Sequence, residues 1–158
     1  MWNRSQTLLA LALASMVTSA RADEPKAVVF DFEFVDTSIE GATNGPRIDE
    51  MARLAWLDRE MRRRLAQSRR AEVIDASGIA DRTHARDLRT CGGCDAVFAS
   101  ELGAKYSIIG WVQKVSNLIL NMNVVVRDVS TGNTDESWSR ALDWLVDKYL
   151  LAPEAGAF

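Results

Sequence analysis

The only two cysteines of the chain stand three apart in Thr90-Cys91-Gly92-Gly93-Cys94-Asp95. Such a pair can relay electrons, supply half of a metal site, anchor a haem or staple a loop. A c-type haem needs a histidine directly after the second cysteine, and Asp95 stands there instead. A structural zinc asks for four ligands, so His84 and one of Asp81, Asp87 or Asp95 would have to complete the set; copper(I) held by two thiolates is a variant of that idea. A dithiol enzyme needs a strand leading into the motif and a helix starting at it, so that the helix dipole lowers the first thiol's pKa. Only the helix half is supported, because the polar segment DRTHARDLRT (81–90) comes before the motif. In an oxidising compartment two cysteines in one domain usually pair. The expectation is a structural Cys91–Cys94 disulfide that fixes the start of the following helix, with the two glycines permitting the tight ring. Thiol–disulfide chemistry is the alternative.

The other reactive residue types form no set that chemistry would need. His84 is the single histidine, and no serine in a nucleophile elbow accompanies it. Asp31, Glu33, Asp36 and Glu40 make an acidic stretch at a strand end, where a hard cation could gather oxygens, but their spacing is not that of an EF-hand loop. Arg59, Arg62, Arg63, Arg64, Arg69 and Arg70 read as a solvated helix face with Asp58 and Glu60 as local partners. No catalytic residue, metal or cofactor is expected.

Compartment decides how the cysteines are read. Arg4, the apolar run TLLALALASMV (7–17) and Ala20-Arg21-Ala22 have the charge, length and small-residue pattern of a secretory signal peptide cut before Asp23. The run is short for a membrane span, and no integral membrane segment is expected after cleavage. Residues 23–158 are then a single domain, periplasmic or secreted. Cleavage removes Arg4 and Arg21 and no acid, so the net charge of −3 becomes −5. An exported acidic domain is a poor nucleic-acid binder.

The elements follow from periodicity. AVVFDFEFV (27–35) alternates, with Val28, Phe30, Phe32 and Phe34 expected on one face and Asp31 and Glu33 on the other. Residues 37–46 read as a loop. Ile48–Ser68 reads as a long helix in which Met51, Leu54, Leu57 (or Asp58), Met61 and Leu65 follow helical spacing, with Asp49 and Glu50 in the first turn. A short strand (71–76), a polar segment (77–93) with about one helical turn around 80–88, and a short helix (95–102) capped by Gly103 come next. A hairpin joins 105–115 to 118–129 through Ser116-Asn117, and Thr131-Gly132 makes a second turn. Thr134 or Asp135 caps a last helix bearing Trp138, Leu142, Leu145 and Tyr149. This order predicts an α/β (α+β) fold: a two-layer sandwich of a mixed sheet of about four strands with helices packed on one face. A two-residue turn would put Ile109, Trp111 and Val115 on the side of Leu118, Leu120, Met122, Val124 and Val126. The open side would then hold Lys114, Val112, Ile119, Asn121, Asn123 and Val125.

VVFDFEF, LGAKYSIIGWVQKVSN and RDVSTGN together resemble the N-terminal domain of TolB and the CsgG and FlgO type of envelope domain. FDFEFVDTS (30–38), CGGCD, VQKVSNLILNMNV (112–124) and GNTDESWSR (132–140) resemble an uncharacterised family of small exported bacterial proteins, a domain of unknown function, with QKVSNLIL and GNTDESW as its most specific motifs. That resemblance implies at most an accessory role beside periplasmic quinoprotein alcohol oxidation systems. It also implies a further strand between the D-x-x-T-G turn and N-T-D-E-S-W, which RDVSTGNTDESW runs together here. The functional expectation is therefore an exported, non-enzymatic accessory or binding protein. A protein partner or a second copy would be held on the sheet face around Val112, Ile119, Asn121, Asn123 and Val125. The mature protein is expected to begin at Asp23; intact-mass measurement of exported material that still carries residues 1–22 would contradict this.

Overall fold

The computed structural model describes residues 23–117 and 119–138. The elements run β1 (Lys26–Val29), β2 (Glu33–Asp36), α1 (Ile39–Asn44), α2 (Ile48–Ser68), β3 (Glu72–Ile74), a 3-10 turn (Ser77–Ile79), α3 (Ala80–His84), α4 (Cys94–Glu101), β4 (Tyr106–Ser116) and β5 (Ile119–Asp128). The mixed α/β fold is as expected. Among the described residues the sheet has five strands, where about four were expected, and they are mostly parallel. The 37–46 loop contains the short helix α1. Of the last expected helix, Trp138 is described and packs against Tyr106 with ring centroids 5.1 Å apart; Leu142, Leu145 and Tyr149 lie outside the described residues.

β4 is the spine of the sheet. Along one edge its first half pairs with β1 (Ala27 opposite Tyr106) and its second half with β2 (Glu33 opposite Trp111), both parallel. β3 pairs with the far edge of β1, and β5 runs antiparallel along the other edge of β4. β1 and β2 are thus two pieces of the one strand expected over 27–35. Four steps from Val29 to Glu33 face three from Ile108 to Trp111, so one extra residue is inserted as a bulge.

That insertion reverses the faces. Ala27 and Val29 join Phe32 and Phe34 on the side of α2, while Val28 and Phe30 point to the side of α4. The expected single face of Val28, Phe30, Phe32 and Phe34 is split between two cores. The helices accordingly cover both faces, not one: α2 with Leu54, Leu57, Met61 and Leu65 on one side, α4 with Phe98 and Ala99 on the other. Each α2 side chain so buried contributes about 1.5–3 kcal/mol. Gly110 allows the close approach of Phe32, because a Cβ there would stand 2.6 Å from the Phe32 ring. Asp95, fully buried in the first turn of α4, accepts from Ser107 Oγ at 2.7 Å and from Arg127 Nε at 3.1 Å, tying that helix to β4 and β5.

A second irregularity, between Lys114 and Ser116, shifts the hairpin by one residue. Trp111 lies opposite Asn123 and Ile109 opposite Val125, whereas Val112 lies opposite Met122 and Lys114 opposite Leu120. Lys114, expected on the open side, is 2% exposed and bonds Glu50 at 2.6 Å and Glu40 at 3.4 Å, with Asp36 at 3.7 Å. Glu50 also accepts the Arg47 backbone N–H at the start of α2, so one carboxylate serves helix and sheet together.

Two α2 side chains satisfy the backbone freed by the first bulge. Asp58 Oδ1 accepts the Phe32 N–H at 2.8 Å, and Arg62 Nε donates to the Val29 carbonyl at 3.0 Å. Burial pushes the Asp58 carboxyl up to about 6, against the stabilising pull of the Phe32 N–H. A raised carboxyl pKa means that the folded state holds its proton longer than the unfolded chain does. The associated stability is present below about pH 4 and is lost as pH rises through 6, by roughly 2–3 kcal/mol. Asp58→Asn keeps an oxygen for Phe32 without the charge. Its stability relative to the parent is expected to rise by that amount between pH 4 and pH 7 in urea titrations. Asp58→Ala, which strands the Phe32 N–H, should instead cost about 1–3 kcal/mol.

Candidate functional site

Below β2 the sheet has no further strand among the described residues. β3 pairs only as far as Val28, opposite Ile74, and the outer edge of β2 runs on alone. An open groove of ≈ 680 Å³ follows this edge between α2 and the 83–89 segment. Phe34 and Val35 line it from the strand, Met51, Leu54 and Ala55 from the helix, and Leu88 from the opposite wall.

The charged groups around the groove are bound into its walls. Asp31 takes Arg62 at 2.5 Å and His84 Nε2 at 2.7 Å, and these two hold its carboxyl below the ordinary range although burial works the other way. Glu33 accepts the Leu88 N–H at 2.9 Å. Burial, then the charge of Asp87, pushes Glu33 up. Asp87 accepts the N–H groups of Arg89 and Thr90, folding the 87–90 turn, and Arg89 reaches back to it at 3.2 Å. The acidic stretch read as a possible cation site is therefore divided: Asp31 goes to Arg62 and His84, Glu33 to a backbone amide, and Asp36 and Glu40 to Lys114.

Cys91 and Cys94 are joined, with their Cα atoms 5.7 Å apart. Gly92 and Gly93 both take positive φ, 72° and 104°, as the short ring requires. The Cys91 N–H donates to the Asp87 carbonyl at 3.0 Å, and α4 begins at Cys94. The disulfide thus clamps the groove's outer wall to the start of α4.

The residues expected to form one contact face are separated. Asn121, Asn123 and Val125 share the α4 side of the sheet with Trp111 and Gln113. Val125 packs against the α4 core, whereas Val112 lies on the opposite side against the α2 core. Ile119 sits at the hairpin tip beyond the irregularity, half exposed beside Leu120. The sequence reading missed Asp58 and Arg62 as partners of the strand; the one signal was an aspartate at a position where the helix period called for an apolar residue.

Among solved structures, the fold is similar to that of the LpoB C-terminal domain from Salmonella enterica, with a TM-score of 0.52 and 12% identity over 73% of this chain and 80% of that one. The LpoB C-terminal domain from Escherichia coli gives 0.50 and 15% over 70% and 76%. Lipoprotein GNA1162 from Neisseria meningitidis gives 0.45 and 9% over 70% and 74%. No curated protein matches in sequence. The model of the family DUF3280, described as "Protein of unknown function (DUF2380)", matches residues 25–150, nearly all of the expected mature chain, and the protein belongs to that family.

Proposed function

We propose that the protein is an exported, non-enzymatic accessory module that works by holding a protein partner in the periplasm. The observation that carries this is the state of the groove: its acidic groups are committed to structural bonds with Arg62, Arg89, His84 and backbone amides. What remains is a shaped surface rather than a poised reactive group. The signal-like segment 1–22, the DUF3280 membership and the LpoB-like fold support an envelope setting. The resemblance noted in the sequence supports a finer reading, in which the partner belongs to a quinoprotein alcohol oxidation system. Asn121 and Asn123, with Ile119 at the tip, offer a second contact strip, continued on the same face by the inward-packed Val125 and backed on the opposite face by Val112.

One feature favours the dithiol reading. The Cys94 N–H donates to Cys91 Sγ at 3.2 Å at the start of α4, the end of a helix that would favour a thiolate.

Two measurements separate these readings. Mature protein and a purified periplasmic quinoprotein alcohol dehydrogenase should co-elute, and Ile119→Lys with Asn121→Lys should weaken the complex at least tenfold while leaving the melting curve unchanged. Cys91→Ser with Cys94→Ser should lower stability by about 1–3 kcal/mol, the small end for a disulfide because the ring is short, and should keep the complex. No complex with the dehydrogenase and no self-association in light scattering would sink the accessory reading. Insulin reduction with turnover that the cysteine pair variant loses would establish the dithiol enzyme in its place.

A further inference from the structure

We propose that the outer edge of β2 takes up an extended segment of a partner polypeptide that alternates apolar and basic residues, adding a strand to the sheet inside the groove. This rests on the reading of the protein as a partner-holding module and names where and what it holds. The geometry begins with the direction of the backbone. The Thr37 N–H bonds the Lys114 carbonyl, and the Phe30 N–H bonds the Ile108 carbonyl. Before the bulge the even-numbered residues therefore face β4, and after it the odd-numbered ones do. Phe34 and Asp36 consequently turn their N–H and C=O groups away from β4, and Phe34 lines the groove on that side. At the preceding positions the outward groups are already satisfied by α2, the Val29 carbonyl by Arg62 and the Phe32 N–H by Asp58. Beyond Phe32 that capping stops: among the described residues the backbone groups of Phe34 meet no partner on this side, and the groove opens there.

An unpaired strand edge lying in a groove with apolar walls is the geometry of β-strand addition, in which main-chain bonds give affinity and alternate side chains give selectivity. One side chain of the incoming strand would enter between Met51, which is 43% exposed, and Leu88. Charge decides the neighbouring positions. Four carboxylates, Asp31, Glu33, Asp58 and Asp87, line the groove, and three permanent cations stand against them: Arg62 on Asp31, Arg89 between Glu33 and Asp87, and Arg86. Burial, then the charge of Asp87, holds the Glu33 carboxyl above its ordinary range although Arg89 stands 3.7 Å from it, so a further lysine or arginine from the incoming strand is favoured beside it.

The probe is the octapeptide (Val-Lys)4, titrated into the intact mature protein and followed by amide NMR. The Phe34 and Asp36 amide signals are expected to shift, and hydrogen exchange at Phe34 to slow at least tenfold at saturation. The peptide N-methylated at alternate backbone positions should lose binding, and (Val-Glu)4 should bind at least tenfold more weakly. Ala55→Arg, at an exposed α2 position on the groove wall, should abolish the shifts; Met51→Arg serves if that variant melts early. Shifts confined to β5, equal binding of (Val-Glu)4, or no shift at all would overturn the proposal. If a quinoprotein partner co-elutes equally well with Ala55→Arg, the groove assignment fails and the accessory reading stands. If the peptide binds but no partner is found, the groove stands and the accessory reading fails.

Discussion

One extra residue between Val29 and Glu33 governs the rest of the structure. Without it, Val28, Phe30, Phe32 and Phe34 would all stand on one face of the sheet. With it, the aromatic residues are shared between two cores, and helices are required on both sides. The bulge leaves a carbonyl and an N–H outside the ladder, and each must be satisfied or cost about 1–3 kcal/mol. Asp58 and Arg62 do this from one face of α2, four residues apart, which fixes that helix in register with the strand. Burying a carboxyl beside the sheet opposes folding at neutral pH, yet the alternative is an orphaned backbone amide in the core.

The same reasoning extends to the other end of the sheet. Lys114 is drawn inward by the shift in the hairpin and meets Asp36 at the end of β2, Glu40 in α1 and Glu50 in the first turn of α2. The bond to Glu50 holds the Lys114 ammonium above its ordinary range and the Glu50 carboxyl below its own. A single cation thereby gathers three elements, β2, α1 and α2. Removal of Lys114 leaves three carboxylates facing one another, so such clusters specify position more than they add stability.

Much of this was legible from residue order, and the exceptions share a cause. The span of α2 was read to the residue from its apolar period and acidic first turn, and the hairpin and the Gly103 helix stop were equally plain. What could not be read was parity. A one-residue bulge leaves the alternation of FDFEF intact to the eye while exchanging its faces, and the irregularity at Val115 does the same to Trp111, Val112 and Lys114. Both errors follow from the two-residue period of a strand, for which a slip of one is a complete reversal. The groove was illegible for another reason: Phe34, Met51 and Leu88 come from three separate segments, and nothing local in any of them marks the gap between.

The pairing of Ala27 with Tyr106 has a consequence for how the chain acquires its structure. The first strand meets β3 only 46 residues further on and β4 only 79 residues further on, because both its sheet contacts are parallel and reach along the chain. The β4–β5 hairpin, by contrast, is local and can form within microseconds of its synthesis. The ordering that follows is a hairpin acting as a template onto which β1 later closes, with loop-closure entropy spent before any parallel contact is gained. Until that moment the β4-facing edge of an apolar strand waits unpaired, which is the interval in which such a domain depends most on a holding chaperone.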